Sequence, residues 1–148
     1  EAVNAQQDAM RHAGLELQLK LPPEQAMPVR ADRQRLAQLF GNLLSNSLRY
    51  TDAPGRITIS AASSNHQYLI SFEDTAPGVP ADALERIFDR LYRVEPSRSR
   101  AFGGAGLGLS ICRNIVSAHD GSIIAKASSQ GGLLIEIQLP MSGNRDGI

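Results

Sequence analysis

A chain of 148 residues, 42% of them hydrophobic, is long enough for one domain with a single core and too short for two ordinary ones. Fifteen basic residues balance fifteen acidic ones, so no whole-molecule field draws nucleic acid or an anionic membrane surface. The single cysteine excludes an internal disulfide, and no run approaches the roughly eighteen apolar residues of a membrane span.

The N-terminus lacks the charged-then-apolar order of a signal peptide, so a soluble chain in a reducing compartment is expected. Glu1 is not an initiator Met, and residues 2–10 read as the tail of a helix that begins upstream. Leu15, Leu17 and Leu19 alternate with polar residues before Pro22-Pro23, the pattern of a half-buried strand stopped by prolines. Asp32 then caps the longest clear helix, whose apolar residues Leu36, Leu39, Phe40, Leu43, Leu44 and Leu48 keep the helical period until Thr51-Asp52-Ala53-Pro54-Gly55 ends it.

Two strands follow, one around Ile57 to Ser60 and one ending at Phe72, joined by the polar turn Ser63-Ser64-Asn65-His66 as an antiparallel hairpin. A short helix is expected from Ala81 to Ile87. Thirteen of the fifteen bases are arginine, and Arg90, Arg93, Arg98 and Arg100 face only Glu95 between positions 90 and 100, an excess suited to a triphosphate or simply to a solvated loop. After a glycine cluster a second helix runs to about His119, where Asp120-Gly121 breaks it, and Cys112 within it is expected to pack as a small core side chain. Residues 122–127 and 133–139 form the last two strands, turned through 128–132, and the polar tail 141–148 is expected to be flexible. Helices and hairpins interleave without regular βαβ spacing. The expected class is therefore α+β, a two-layer sandwich with one mostly antiparallel sheet covered by helices on one face.

Three segments carry chemistry. Gly103-Gly104-Ala105-Gly106-Leu107-Gly108-Leu109 leaves the backbone bare enough for phosphate oxygens to lie against its N–H groups, and the following helix adds the positive end of its dipole. It is not a Walker loop, since neither Lys20 nor Lys126 follows a glycine run, and it is not a dinucleotide fingerprint, since Leu109 stands where the third glycine belongs. Asn42 and Asn46 stand four apart on the long helix and share one face, with Arg49 and Tyr50 about a turn further on. Such amides either bond to backbone or hold a hard cation such as Mg²⁺ that takes its other ligands from phosphates. Asp74-Thr75-Ala76-Pro77-Gly78 is an ordinary turn taken by itself, but a carboxylate at a strand end can also accept the exocyclic amine of adenine.

In this order the segments resemble the catalytic, ATP-binding domain of sensor histidine kinases, which shares its fold with gyrase B, Hsp90 and MutL. Asn42-Leu43-Leu44-Ser45-Asn46-Ser47-Leu48-Arg49-Tyr50-Thr51 looks like that family's N box, residues 74–78 its first glycine box, Ile87-Phe88-Asp89-Arg90-Leu91-Tyr92-Arg93 its F box, and residues 104–109 its second glycine box. Residues 74–78 and 92–98 look most like those of envelope-stress sensors. The resemblance spans about residues 15–140 and implies one catalytic domain over 1–148, with 1–12 as the tail of a dimerisation helix and linker.

It also implies roles. Asn46, with Asn42, would hold Mg²⁺ and the phosphates of ATP, Arg49 and Tyr50 would flank the phosphate chain, and Asp74 would bind the adenine amine with Gly78 beside it. Gly104, Gly106, Leu107, Gly108 and Leu109 would carry the end of a lid over the triphosphate, and Phe88, Tyr92 and Arg93 would belong to that lid. Ala76 and Leu91 depart from the family pattern, where Gly and Phe are usual. None of His12, His66 and His119 has the acceptor's sequence context, so the phosphoacceptor would lie on a separate dimerisation domain of a homodimeric inner-membrane kinase. This chain would then be its monomeric cytoplasmic half, serving a response regulator through the full-length protein. Two other readings stay open: an ATP hydrolase of the gyrase type, which needs a glutamate where Asn42 stands, and a degenerate module that signals by contact alone.

Overall fold

The computed structural model describes residues 11–12, 14–20, 33–64, 66–75, 77–89 and 108–140. Five strands, β1 (Leu15–Lys20), β2 (Gly55–Ser64), β3 (Gln67–Thr75), β4 (Ser122–Ala127) and β5 (Gly131–Pro140), and two helices, α1 (Arg33–Tyr50) and α2 (Gly108–Ala118), make up the described part. The sheet order is β1-β2-β3-β5-β4, with β1 parallel to β2 and every other pair antiparallel. This is the α+β sandwich that the interleaved pattern predicts.

The leucine and phenylalanine period of α1 explains its placement. Leu39, Leu43 and Leu44 are fully buried, and they join Cys112, Ile115 and Val116 of α2 against Ile59, Phe72, Ile135, Ile137 and Leu139 of the sheet. Strand alternation sends these inward residues to one face, while Ser71, Glu73, Glu136 and Gln138 fall on the other. Phe40 stacks on Phe72 with ring centroids 6.0 Å apart. The alternating leucines of β1 bury in a gradient along the edge strand, from Leu15 at 6% exposed to Leu19 at 44%.

The ends of α2 follow local rules. At its C-terminus Asp120 takes φ 61°, and the N–H groups of Asp120 and Gly121 donate to Ser117 O and Val116 O at 3.0 and 2.9 Å, which satisfies the last carbonyls in a Schellman arrangement. The expected helix from Ala81 to Ile87 is instead a 3₁₀ turn over Ala81–Ala83 followed by further turns through Asp89. Ala83, Ile87 and Phe88 are all buried, so their spacing imitates a helical face. Pro80 gives the segment no side-chain cap, and so short a run cannot offset the cost of nucleating a helix.

Candidate nucleotide-binding site

The site is built where the end of β3 meets α1. Asn42 and Asn46 are both half-buried, one turn apart on α1. One residue further along the same helix, Ser47 is buried, and Thr51 follows one turn later with its N–H still donating to Ser47 O at 2.9 Å. Arg49 and Tyr50 form the last turn of α1. Gly108 opens α2, and Leu109, half-buried, packs on the core. Tyr92, Arg93, Gly104, Gly106 and Leu107 lie outside the described residues.

Asp74 sits inside β3, which runs three residues beyond the expected end at Phe72 and stops at Thr75. Between Glu73 and Thr75 the pairing with β5 shifts, so that Gly132 and Leu133 together stand opposite Asp74. This bulge lets the Leu133 N–H donate to Asp74 Oδ1 at 2.8 Å, while Ser47 Oγ donates to Asp74 Oδ2 at a long 3.5 Å. The carboxyl is only 6% exposed, and burial pushes its pKa up to about 6 against the opposing pull of the Leu133 and Ser47 donors. Glu73 next door raises it further. Thr51 Oγ1 is buried beside the carboxylate, near enough to favour its charged form but outside hydrogen-bond geometry, and it has no partner.

Two glycines shape the wall opposite. Gly78 has φ 69°, and a Cβ there would lie 2.9 Å from the backbone of Gly132. A Cβ at Gly132 would in turn collide with Asp74. The residue after the departure at Ala76 thus leads into a left-handed turn at Gly78, which a side chain rarely adopts.

Asn42 faces a different neighbour. Cys112 Sγ is fully buried between α2 and α1, donates weakly to Leu39 O at 3.7 Å, and has its thiol pushed up to about 12 by burial, with the Asn42 amide opposing that shift. Asn42 thus lies beside the middle of α2, the helix that follows the glycine cluster.

These groups suit an adenine nucleotide with Mg²⁺. A buried carboxylate with one long hydrogen bond and an orphaned hydroxyl beside it lack a polar partner that a base edge would supply. For the metal, no group of three His, Cys, Asp or Glu among the described residues could hold an ion. The available donors are neutral amide oxygens, which suit a hard cation whose charge is matched by phosphates rather than by protein. Ser47, Thr51 and Gly132 were not among the residues singled out from sequence. Their signals are the four-residue spacing of two hydroxyls beside the asparagine pair and a Gly-Gly step at the mouth of an apolar strand.

Comparison with known proteins bears on the family and the fold. Residues 31–143 match the profile of the family described as histidine kinase-, DNA gyrase B-, and HSP90-like ATPase. The chain is 53% identical over 128 residues to the signal transduction histidine-protein kinase BaeS of Escherichia coli K12, covering 86% of this chain and 27% of that protein. It is 37% identical over 120 residues to the sensor histidine kinase WalK of Bacillus subtilis 168, covering 80% of this chain and 20% of the relative. It thus spans roughly a quarter or less of the length of these curated relatives. The catalytic domain of histidine kinase ThkA superposes with a TM-score of 0.82 at 23% identity, over 95% of this chain and 88% of the other, a likeness of fold. Full-length ShkA in complex with AMPPNP superposes with a TM-score of 0.78 at 26% identity, over 95% of this chain and 28% of that one. No described helix is long and apolar enough to cross a membrane. Since the profile covers most of the chain and BaeS is 53% identical over 86% of it, this chain belongs to the histidine kinase-, DNA gyrase B-, and HSP90-like ATPase family.

Proposed function

We propose that the chain is the ATP-binding catalytic domain of a two-component sensor histidine kinase, passing the γ-phosphoryl of ATP to a histidine on a separate dimerisation domain. The observation that carries this is the buried Asp74, tied to β5 through Leu133 and to α1 through Ser47, which directly follows Asn46 of the asparagine pair on the same helix. Asp74 accepts the adenine amine and Gly78 lines the base. Asn46 and Asn42 hold Mg²⁺ and phosphate oxygens, Arg49 and Tyr50 flank the phosphate chain, and residues 104–109 with Tyr92 and Arg93 close over it. When bound, Mg²⁺ neutralises charge on the phosphates. The protein's own contribution is placement and electrostatics rather than covalent chemistry.

Support comes from the relatives. BaeS and WalK are named as sensor kinases, ShkA was crystallised with AMPPNP, and ThkA with the response regulator protein TrrA. On this reading the full protein is a membrane-bound homodimer facing the cytoplasm and serving a response regulator. A hydrolase reading lacks its base, because position 42 holds an amide that lies beside Cys112. Isothermal titration of the chain with ATP, ADP and GTP in Mg²⁺ tests the site. Preference for adenine nucleotides, lost in Asp74→Asn, is the expected result, and failure to bind any of the three defeats the reading.

A further inference from the structure

Resting on the nucleotide reading, a second base-reading residue emerges beside Asp74. Thr51 is 5% exposed, and its Oγ1 has no hydrogen-bond partner. A buried hydroxyl without a partner costs free energy, and such orphans in native proteins call for a reason. Its neighbour Ser47, one turn earlier, already spends its proton on Asp74 Oδ2. The Thr51 N–H donates to Ser47 O at 2.9 Å, so Thr51 extends the helical face that looks at Asp74 even though α1 itself ends at Tyr50. Its methyl group packs toward the start of β2, where a Cβ on Gly55 would lie 2.9 Å from Thr51 Cγ2. Thr51 also stands close enough to Asp74 to favour its charged form.

The Watson–Crick edge of adenine presents an amine donor next to a ring acceptor, N1. A carboxylate can serve the first and not the second. A hydroxyl can donate to the second. We propose that the Thr51 hydroxyl donates to adenine N1, directly or through one water, so that Asp74 and Thr51 together read both atoms of the base edge.

The test is titration calorimetry of the chain with ATP and with 1-deaza-ATP, in which N1 is replaced by C–H, each with Mg²⁺, for the parent, Thr51→Val and Thr51→Ser. The parent should bind 1-deaza-ATP about three- to tenfold more weakly than ATP, the size of one neutral hydrogen bond. Thr51→Val should bind ATP as weakly as the parent binds the analogue and should not distinguish the two, while Thr51→Ser, which keeps the hydroxyl, should retain the preference. Because Val is isosteric and removes an unpaired buried oxygen, its thermal midpoint should not fall. A parent that binds both ligands equally overturns the proposal, and so does a Thr51→Val chain that keeps the parent's preference. A parent that binds no ATP fails one step earlier, and refutes the nucleotide site and this reading of Thr51 together.

Discussion

Asp74 keeps its place in the site because residue 132 is glycine. Any Cβ at Gly132 would run into the Asp74 carboxylate and the backbone on either side of the bulge, so only glycine allows β5 to approach closely enough for the Leu133 N–H to meet Oδ1 at 2.8 Å. Gly78 packs on that same backbone from the other side. This end of β3 is thus a close contact between two backbones with one carboxylate held between them.

Gly132→Ala should push β5 away from β3 and break the Leu133 to Asp74 bond. Losing a hydrogen bond to a buried carboxylate costs on the order of 1.5–3 kcal/mol, so urea unfolding should show a drop of that size and calorimetry should show weakened ATP binding. A variant with unchanged midpoint and affinity would contradict the role given to Gly132.

The raised pKa of Asp74 has a sign that can be checked. Folding shifts it from 3.8 to about 6, so between those values the folded state holds more protons than the unfolded one. This group's contribution to stability is therefore present at low pH and lost as pH rises through about 6. Asp74→Asn should stabilise the nucleotide-free chain at pH 8 by up to about 3 kcal/mol, with the gain shrinking toward pH 4. ATP binding should move oppositely. Affinity should fall as pH drops below about 6, because a protonated carboxyl is a poorer acceptor for the amine. Adenosine, which lacks titrating phosphates, separates this effect from ligand protonation, and the slope should vanish in Asp74→Asn.

Much of this site is legible in the sequence, and the misses have physical causes. The leucine period of α1 and the glycine-rich segment carry strong signals because helix faces and bare backbone have distinct spacings. Ser47 and Thr51 carry weak ones, since a hydroxyl among leucines is common helix filler until the strand it faces is known. Gly132 reads as part of a turn, because nothing local says that two residues of β5 must pass one of β3. The segment at 81–87 misleads for the opposite reason: three buried apolar residues at helical spacing dock on the core without forming a helix.

Asn46→Asp would place a carboxylate where the phosphates should lie. Repulsion of order 1–3 kcal/mol should weaken ATP binding when Mg²⁺ is chelated, and much less when Mg²⁺ is present to bridge the charges. Equal affinity for the parent and the variant under both conditions would remove Asn46 from the site.

Cys112, fully buried with its thiol pushed up to about 12, should resist iodoacetamide in the folded chain and react only as fast as the protein opens. Cys112→Ala should cost about 1 kcal/mol through the space it leaves between α1 and α2, read as a lower urea midpoint. Fast native labelling would show that the thiol is not sealed between those helices.

The split of labour between this chain and an acceptor elsewhere is tested most directly with γ-³²P ATP, incubated with the chain alone and with the helical dimerisation domain of its parent kinase. On the proposed reading the phosphate-holding groups are those of α1 and the glycine segment, while none of the three histidines has an acceptor's context and position 42 offers no base to activate water. Label should appear on the added domain's histidine and only when this chain is present, with little free phosphate released in its absence. Label on His12 of the chain alone, or brisk phosphate release without any acceptor, would contradict the account.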